Sequence, residues 1–326
     1  MKKIFFAMMA VAALAACNKS EVIETPQGIA IAFDEVFVDN ATKANDLNAT
    51  NIPDFAVYGT VAKGGASSLI FNNQLVNGTT YTYSPVQYWI GGAQYDFLAF
   101  APKTDAGWVY EVTDGKNAQN GTISFTQSTD ANQDFLFAYN KPNVTPEDIT
   151  SAPEKVAFNF SHMLSRVRFT FTHGFTAGSN IELRVTDVHI TDAYKKGTIA
   201  VANGAAANVW TPADNSLNIA FGDAGTANIT EVAPTASTEH FYLIPADATY
   251  NVTFKITLYQ AGVLVANYNR TATVAANMLR GNSYDIKATL SSDNTSDDGE
   301  LFPIEFKVET VEQWGNFSDV NASVNE

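Results

Sequence analysis

The sequence has one cysteine, Cys17, in 326 residues. No disulfide can form within the chain, so the fold must rest on buried apolar area alone. Charged residues are scarce at 16%, which argues against long solvent-exposed helices. Basic residues are the rarer sign, 19 Lys and Arg against 34 Asp and Glu, for a net charge of −15. A surface this acidic repels nucleic-acid phosphates and anionic headgroups and favours solubility. The four histidines, His162, His173, His189 and His240, are widely spaced. They form neither HExxH nor a His-x-His pair, so no metal site is expected. P-loop, GxGxxG and GxSxG motifs are all missing, and no cofactor or enzymatic activity is expected. Asp96 reads as a solvated strand residue without a partner for a glycosidase pair. Asp293, Thr295 and Asp297 have the spacing of a calcium loop, but the glycine and glutamate that complete such a loop are missing.

What is present begins with Met1-Lys2-Lys3, then an apolar run from Ile4 to Ala16, then Leu14-Ala15-Ala16-Cys17. The run of 13 residues is too short for a spanning helix, which takes about 20. Two lysines, a short apolar core and a small-small-Cys ending read as a lipoprotein signal, with cleavage before Cys17 and acylation of its thiol. Losing Lys2 and Lys3 with the signal would take the net charge from −15 to −17. The expected product is held by lipid and otherwise soluble.

The rest reads as strands and turns. Gly64-Gly65, Asn77-Gly78, Asn203-Gly204 and Ala261-Gly262 are hairpin or turn signals. Between such signals lie short alternating runs: Ile29 to Phe33, Val167 to Thr172 and Asn251 to Tyr259. Period-two alternation puts one apolar face toward a core. Phe, Tyr, Val, Thr and Ile are abundant and suit such strands. Short strands with frequent turns predict an all-β chain of sandwiches. The exception is Ala275 to Arg280, read as one or two helical turns stopped by Gly281. Pro142, Pro146 and Pro153 disfavour a continuous strand and place a domain break near residue 150. Ser291 to Glu300 has no apolar residue and reads as a solvated linker. Ile304 to Glu309 then resumes alternation, as a strand set apart from the main body.

Lys43 lies after the first alternating run, among polar, flexible residues from Asp39 to Asp46. A trypsin-like protease would reach the bond between Lys43 and Ala44 there. Trp89, Trp108, Trp210 and Trp314 read as core residues, or as a sugar-binding platform.

Taken in order, several short segments resemble one family. They are the lipobox ending at Cys17, Ala41-Thr42-Lys43-Ala44, Tyr88-Trp89, Tyr95 to Pro102, Asp134 to Ala138, Val156 to Phe169, and Leu279 to Ile286. In this the chain is similar to the fimbrillins of Bacteroides-type bacteria, subunits of lipoprotein-derived (type V) pili. The resemblance implies two tandem transthyretin-like β-sandwich domains. It implies a signal at 1–17, a pro-segment at 18–43, sandwiches at 44–150 and 151–290, and a linker and donor strand at 291–326. It also implies a route: lipidation at Cys17, export to the outer membrane, and a cut after Lys43. The cut would release the first strand, carrying Ile29, Ile31, Phe33, Val36 and Val38. A donor strand carrying Ile304, Phe306, Val308 and Val311 would fill the groove of another subunit. The implied partners are other pilin subunits, the membrane before processing, a trypsin-like protease, and a host receptor or glycan. Lys43 stands where better-known members carry Arg. The competing expectation is a non-polymerising outer-membrane lipoprotein that binds glycan or host protein.

Overall fold

The computed structural model describes residues 28–38, 46–104, 106–295 and 304–311. Among them every regular element is a strand, and the chain is all-β. The strands form four sheets around three apolar cores.

The first sheet has the order β1 (Phe33–Val38), β8 (Val156–His162), β7 (Leu136–Asn140), β4 (Gln94–Ala101), β2 (Asp54–Lys63), β3 (Ala66–Asn77). Its inner strands read as nearly unbroken apolar runs because both faces are covered. One face holds the first core, with Phe55, Val57, Phe97 and Ala99. The other presents Tyr58, Leu98 and Phe100 to the second core.

The second sheet closes that second core. It runs β12 (Ala205–Ala206), β11 (Lys196–Ala202), β6 (Gly121–Thr126), β5 (Trp108–Val112), with β13 (Thr211–Ala213) also on β11. The β11–β12 connection holds Asn203 and Gly204 at φ 51° and 80°, the left-handed pair a tight hairpin turn demands.

The third core lies between the last two sheets. One is β14 (Leu217–Gly222), β10 (Ile181–Ala193), β17 (Asp247–Gln260), β18 (Val263–Asn277). The other is β15 (Thr235–Ser237), β9 (Ser165–His173), β19 (Ser283–Leu290), β20 (Phe306–Val311), with β16 (Phe241–Leu243) also on β9. The alternation from Asn251 to Tyr259 buries Val252, Phe254, Ile256 and Leu258 on one side of β17. That from Val167 to Thr172 buries Val167, Phe169 and Phe171.

Three expectations are corrected. Ala275 to Arg280 is not helical. Ala275 and Ala276 continue β18, paired with Thr249 and Ala248 of β17, and Val274, Ala276 and Met278 alternate inward. A fourteen-residue partner strand overrides the local preference of two alanines for helix. Sheet pairing also crosses residue 150. Residues 141–155 carry no strand, and the chain then re-enters the first sheet as β8, on β7 and β1. Later β11 lies on β6. The break near residue 150 therefore does not coincide with a boundary between sheets. Third, β20 does not stand apart from the body: it is hydrogen-bonded along β19, with Phe306 opposite Ala288 and Val308 opposite Ile286.

Candidate functional site

The segment 28–38 lies along one edge of the first core. β1 runs parallel to β8, with Phe33 opposite Val156 and Val36 opposite Phe158. On the other side, Ile31 N donates to Gln87 O at 2.9 Å and Trp89 N to Ile29 O at 2.9 Å. The Tyr83 hydroxyl donates to Ile31 O at 2.7 Å. The segment is thus a strand seated between two walls of its own chain.

Its side chains close the core. Ile31, Phe33 and Val36 are 1%, 3% and 2% exposed, whereas Phe37 is 59% exposed. Ile29 and Val38 pack at the margin. The inward positions change parity between Phe33 and Val36, and the pairing with β8 shifts register between those residues. A bulge lets both face inward, where a regular strand would have turned Val36 outward. The Phe33 ring lies 5.3–6.3 Å from the rings of Phe55, Phe71, Tyr83, Phe97 and Phe158. It therefore touches strands β2, β3, β4 and β8 and the loop after β3. Burying three such side chains stabilises the fold by about 1.5–3 kcal/mol each.

The C-terminal strand sits elsewhere. Ile304 is buried, and Phe306 and Val308 pack on the third core. The Phe306 ring is 5.7, 6.1 and 5.9 Å from those of Phe169, Phe171 and Phe254. Val311 is opposite Ser283. Lys287 Nζ of β19 lies 2.6 Å from Glu309 Oε2 of β20, and that hydrogen bond holds the Glu309 carboxyl below its usual value. The structure does not bring the two strands named from the sequence together: β1 closes the first core and β20 the third. Cys17, Lys43, Ala44 and Trp314 lie outside the described residues.

The other tryptophans are packing residues. Trp89 and Trp210 are buried. Trp108 stacks on Phe100 at 4.9 Å and donates its indole N–H to Pro102 O at 2.7 Å. Asp96, expected on a solvated face, is buried and accepts from the Tyr139 hydroxyl at 2.6 Å. Among the described residues no three His, Cys, Asp or Glu side chains are grouped to hold a metal ion.

Sequence reasoning missed a buried polar cluster that starts at Asp46. Asp46 stands at the end of the stretch expected to be flexible, yet it is 0% exposed. Its carboxylate pairs with the Arg166 guanidinium, itself 0% exposed. The Tyr242 hydroxyl donates to Asp46 Oδ1 at 2.8 Å, and His240 Nε2 lies 3.3 Å from that atom. Arg166 Nε donates to Ser283 Oγ at 3.0 Å. Beside it, Asp134 Oδ2 is 2.9 Å from His162 Nδ1 and accepts from Leu47 N at 3.2 Å. The only signal in the sequence is an arginine inside the strand motif Leu164-Ser165-Arg166-Val167, where alternation alone reads as a polar outer face.

Burial alone would raise the Asp46 carboxyl, but His240, Arg166 and Tyr242 outweigh it and hold it below 3.8. A carboxyl depressed in the folded state contributes stability that is fully present above its unfolded value. That contribution is lost as pH falls through the folded value. Asp46→Asn should therefore melt well below the wild type near neutral pH. The gap should close as pH drops below 3.8. Thermal melts across that range check this, and a gap independent of pH would contradict it.

A search of curated proteins finds no match. Among solved structures, the chain is similar to a fimbrial protein of Bacteroides vulgatus, with 13% identity and a TM-score of 0.61, covering 88% of this chain and 99% of that one. At that identity the likeness is one of fold. A Bacteroides uniformis protein inferred to act in cell adhesion aligns at 16% identity and a TM-score of 0.48, over 89% of this chain and 99% of that one. The model of the family described as fimbrillin-like matches residues 41–309, most of the sequence, and the chain belongs to that family.

Proposed function

We propose that this chain is a structural subunit of a cell-surface fimbria, assembled by strand exchange between copies. The precursor is exported, lipidated at Cys17 and held at the outer membrane. A trypsin-like protease cuts after Lys43, the strand bearing Phe33 leaves, and the C-terminal strand of another copy takes its place. The observation that carries this reading is the seating of Ile31, Phe33 and Val36. One edge strand supplies the centre of an aromatic core. Its loss opens a groove with unpaired backbone edges and bare apolar walls, which demands a replacement strand.

The C-terminal strand has a suitable face. Ile304-Glu305-Phe306 repeats the spacing of Ile31-Ala32-Phe33. It is an edge strand on β19, so release breaks a single ladder. Giving one strand to a neighbour while accepting another is a head-to-tail contact, which propagates into filaments. Adhesion and biofilm formation follow as roles for such a filament.

The test is treatment of the purified precursor with a lysine-specific protease. A cut after Lys43 should be followed by SDS-resistant ladders and filaments visible by electron microscopy. Deleting residues 301–326 should abolish them. A cut product that stays monomeric would refute the polymerising subunit, and glycan-array binding by the uncut chain would favour a surface lipoprotein that binds glycan or host protein. Normal filaments from the truncated chain would refute the donor assignment.

A further inference from the structure

We propose that the Asp46 cluster is a latch that keeps the chain just downstream of Lys43 seated while the strand upstream departs. The inference takes its role from the reading that the chain is cut after Lys43. The geometry behind it does not depend on that reading.

The two sides of Lys43 are held by different chemistry. Upstream, residues 28–38 are held by backbone hydrogen bonds and an apolar face. Both can be supplied equally by another strand of similar pattern, because apolar attraction is not directional. Downstream, Asp46 is held by ionic and polar groups from the sheet of the third core: Arg166 on β9, Tyr242 on β16 and His240 just before it. Ser283 on β19 steadies the Arg166 guanidinium. Leu47 N reaches Asp134, and Asn51 Nδ2 donates to Asp46 O at 2.8 Å.

An incoming apolar strand cannot satisfy Arg166. Withdrawal of Asp46 would leave a guanidinium buried without its carboxylate, a state far costlier than an empty apolar edge. The latch therefore sets where exchange stops. The exchangeable segment ends before Asp46, and β2, which begins at Asp54, stays in its sheet. Asp46 and Arg166 act as positioning residues. Cutting between Lys43 and Ala44 would leave the new amino terminus two residues from Asp46 in sequence.

The experiment is amide hydrogen exchange on the full chain, before and after the lysine-specific protease, for wild type, Asp46→Asn and Tyr242→Phe. In the uncut wild type, residues 47–51 should be protected. After the cut, protection should fall across 28–38 and persist across 47–51. In uncut Tyr242→Phe, which loses one hydrogen bond to a charged group, exchange across 47–51 should rise about tenfold or more. In Asp46→Asn the rise should be larger still, with β17 unchanged in both variants.

Unchanged protection across 47–51 in both variants would overturn the latch. So would loss of protection across 47–51 together with 28–38 in the cut wild type. Failure of the protease to cut after Lys43 would count against the processing route alone, since the uncut variants decide the latch. Should Asp46→Asn not fold, Tyr242→Phe decides it, because that variant keeps the ring and removes only the hydroxyl.

Discussion

Phe33→Ala is expected to destabilise the first core by about 3–5 kcal/mol, the range for deleting a buried aromatic side chain. The upper part of that range applies if the surrounding rings cannot collapse. Five rings face Phe33 from four strands and a loop, and each is fixed by its own neighbours. Phe55, Phe71, Phe97 and Phe158 are almost wholly buried, so little free volume exists to redistribute. Phe37, four residues on, is the internal control. It is 59% exposed, and Phe37→Ser should change stability by no more than about 0.5 kcal/mol. Denaturant titration read by hydrogen exchange in β4 would separate the two. Equal effects of Phe33 and Phe37 would contradict the placement of this strand. In a strand-exchange subunit the same substitution should also speed loss of the segment after cutting.

Arg166→Met is expected to cost about 3–5 kcal/mol as well, by a different route. The substitution strips the buried Asp46 of its guanidinium and leaves it only His240 and the Tyr242 hydroxyl, and breaking a buried ion pair by removing one partner is among the largest single penalties a fold can carry. Adding Asp46→Leu to Arg166→Met should recover a substantial part of the loss, because replacing both members of a buried pair with apolar groups is often close to neutral. An exposed pair provides the contrast. Arg184 Nη2 lies 3.7 Å from Asp223 Oδ2, and the two side chains are 37% and 49% exposed. Its removal should cost about 0–1 kcal/mol. If Arg166→Met proved as mild as Arg184→Met, the cluster could not act as a latch.

Much of the architecture was legible in the chain. The runs at 167–172 and 251–259 became β9 and β17 in the expected phase, because a strand's two faces are set by neighbours two residues apart. Of the apolar positions of residues 29–38, the fold buries Ile31, Phe33 and Val36 and leaves Ile29 and Val38 at the margin. The bulge between Phe33 and Val36 was decided by the pairing of β1 with β8. Elsewhere local reading failed for identifiable reasons. Ala275 and Ala276 look helical until β17 is laid beside them. Asp96 looks solvated until Tyr139 arrives from the neighbouring strand region. Ile304 to Glu309 follows a polar stretch and looks detached, but β19 offers it an open edge. Asp46 follows a run of small polar residues that resembles any surface loop.

Composition and period thus determined, before any folding, that the chain is all-β, that it needs no disulfide and which alternating faces turn inward. Those properties depend on each residue and its near neighbours in sequence. Tertiary structure alone decided which strands meet: β1 with β8, β6 with β11, β20 with β19. It alone decided that Asp46 joins Arg166 and Tyr242, which lie 120 and 196 positions further along the chain. A buried ion pair exists only when both partners leave water together, and no stretch of sequence around Asp46 records that its cation lies on β9.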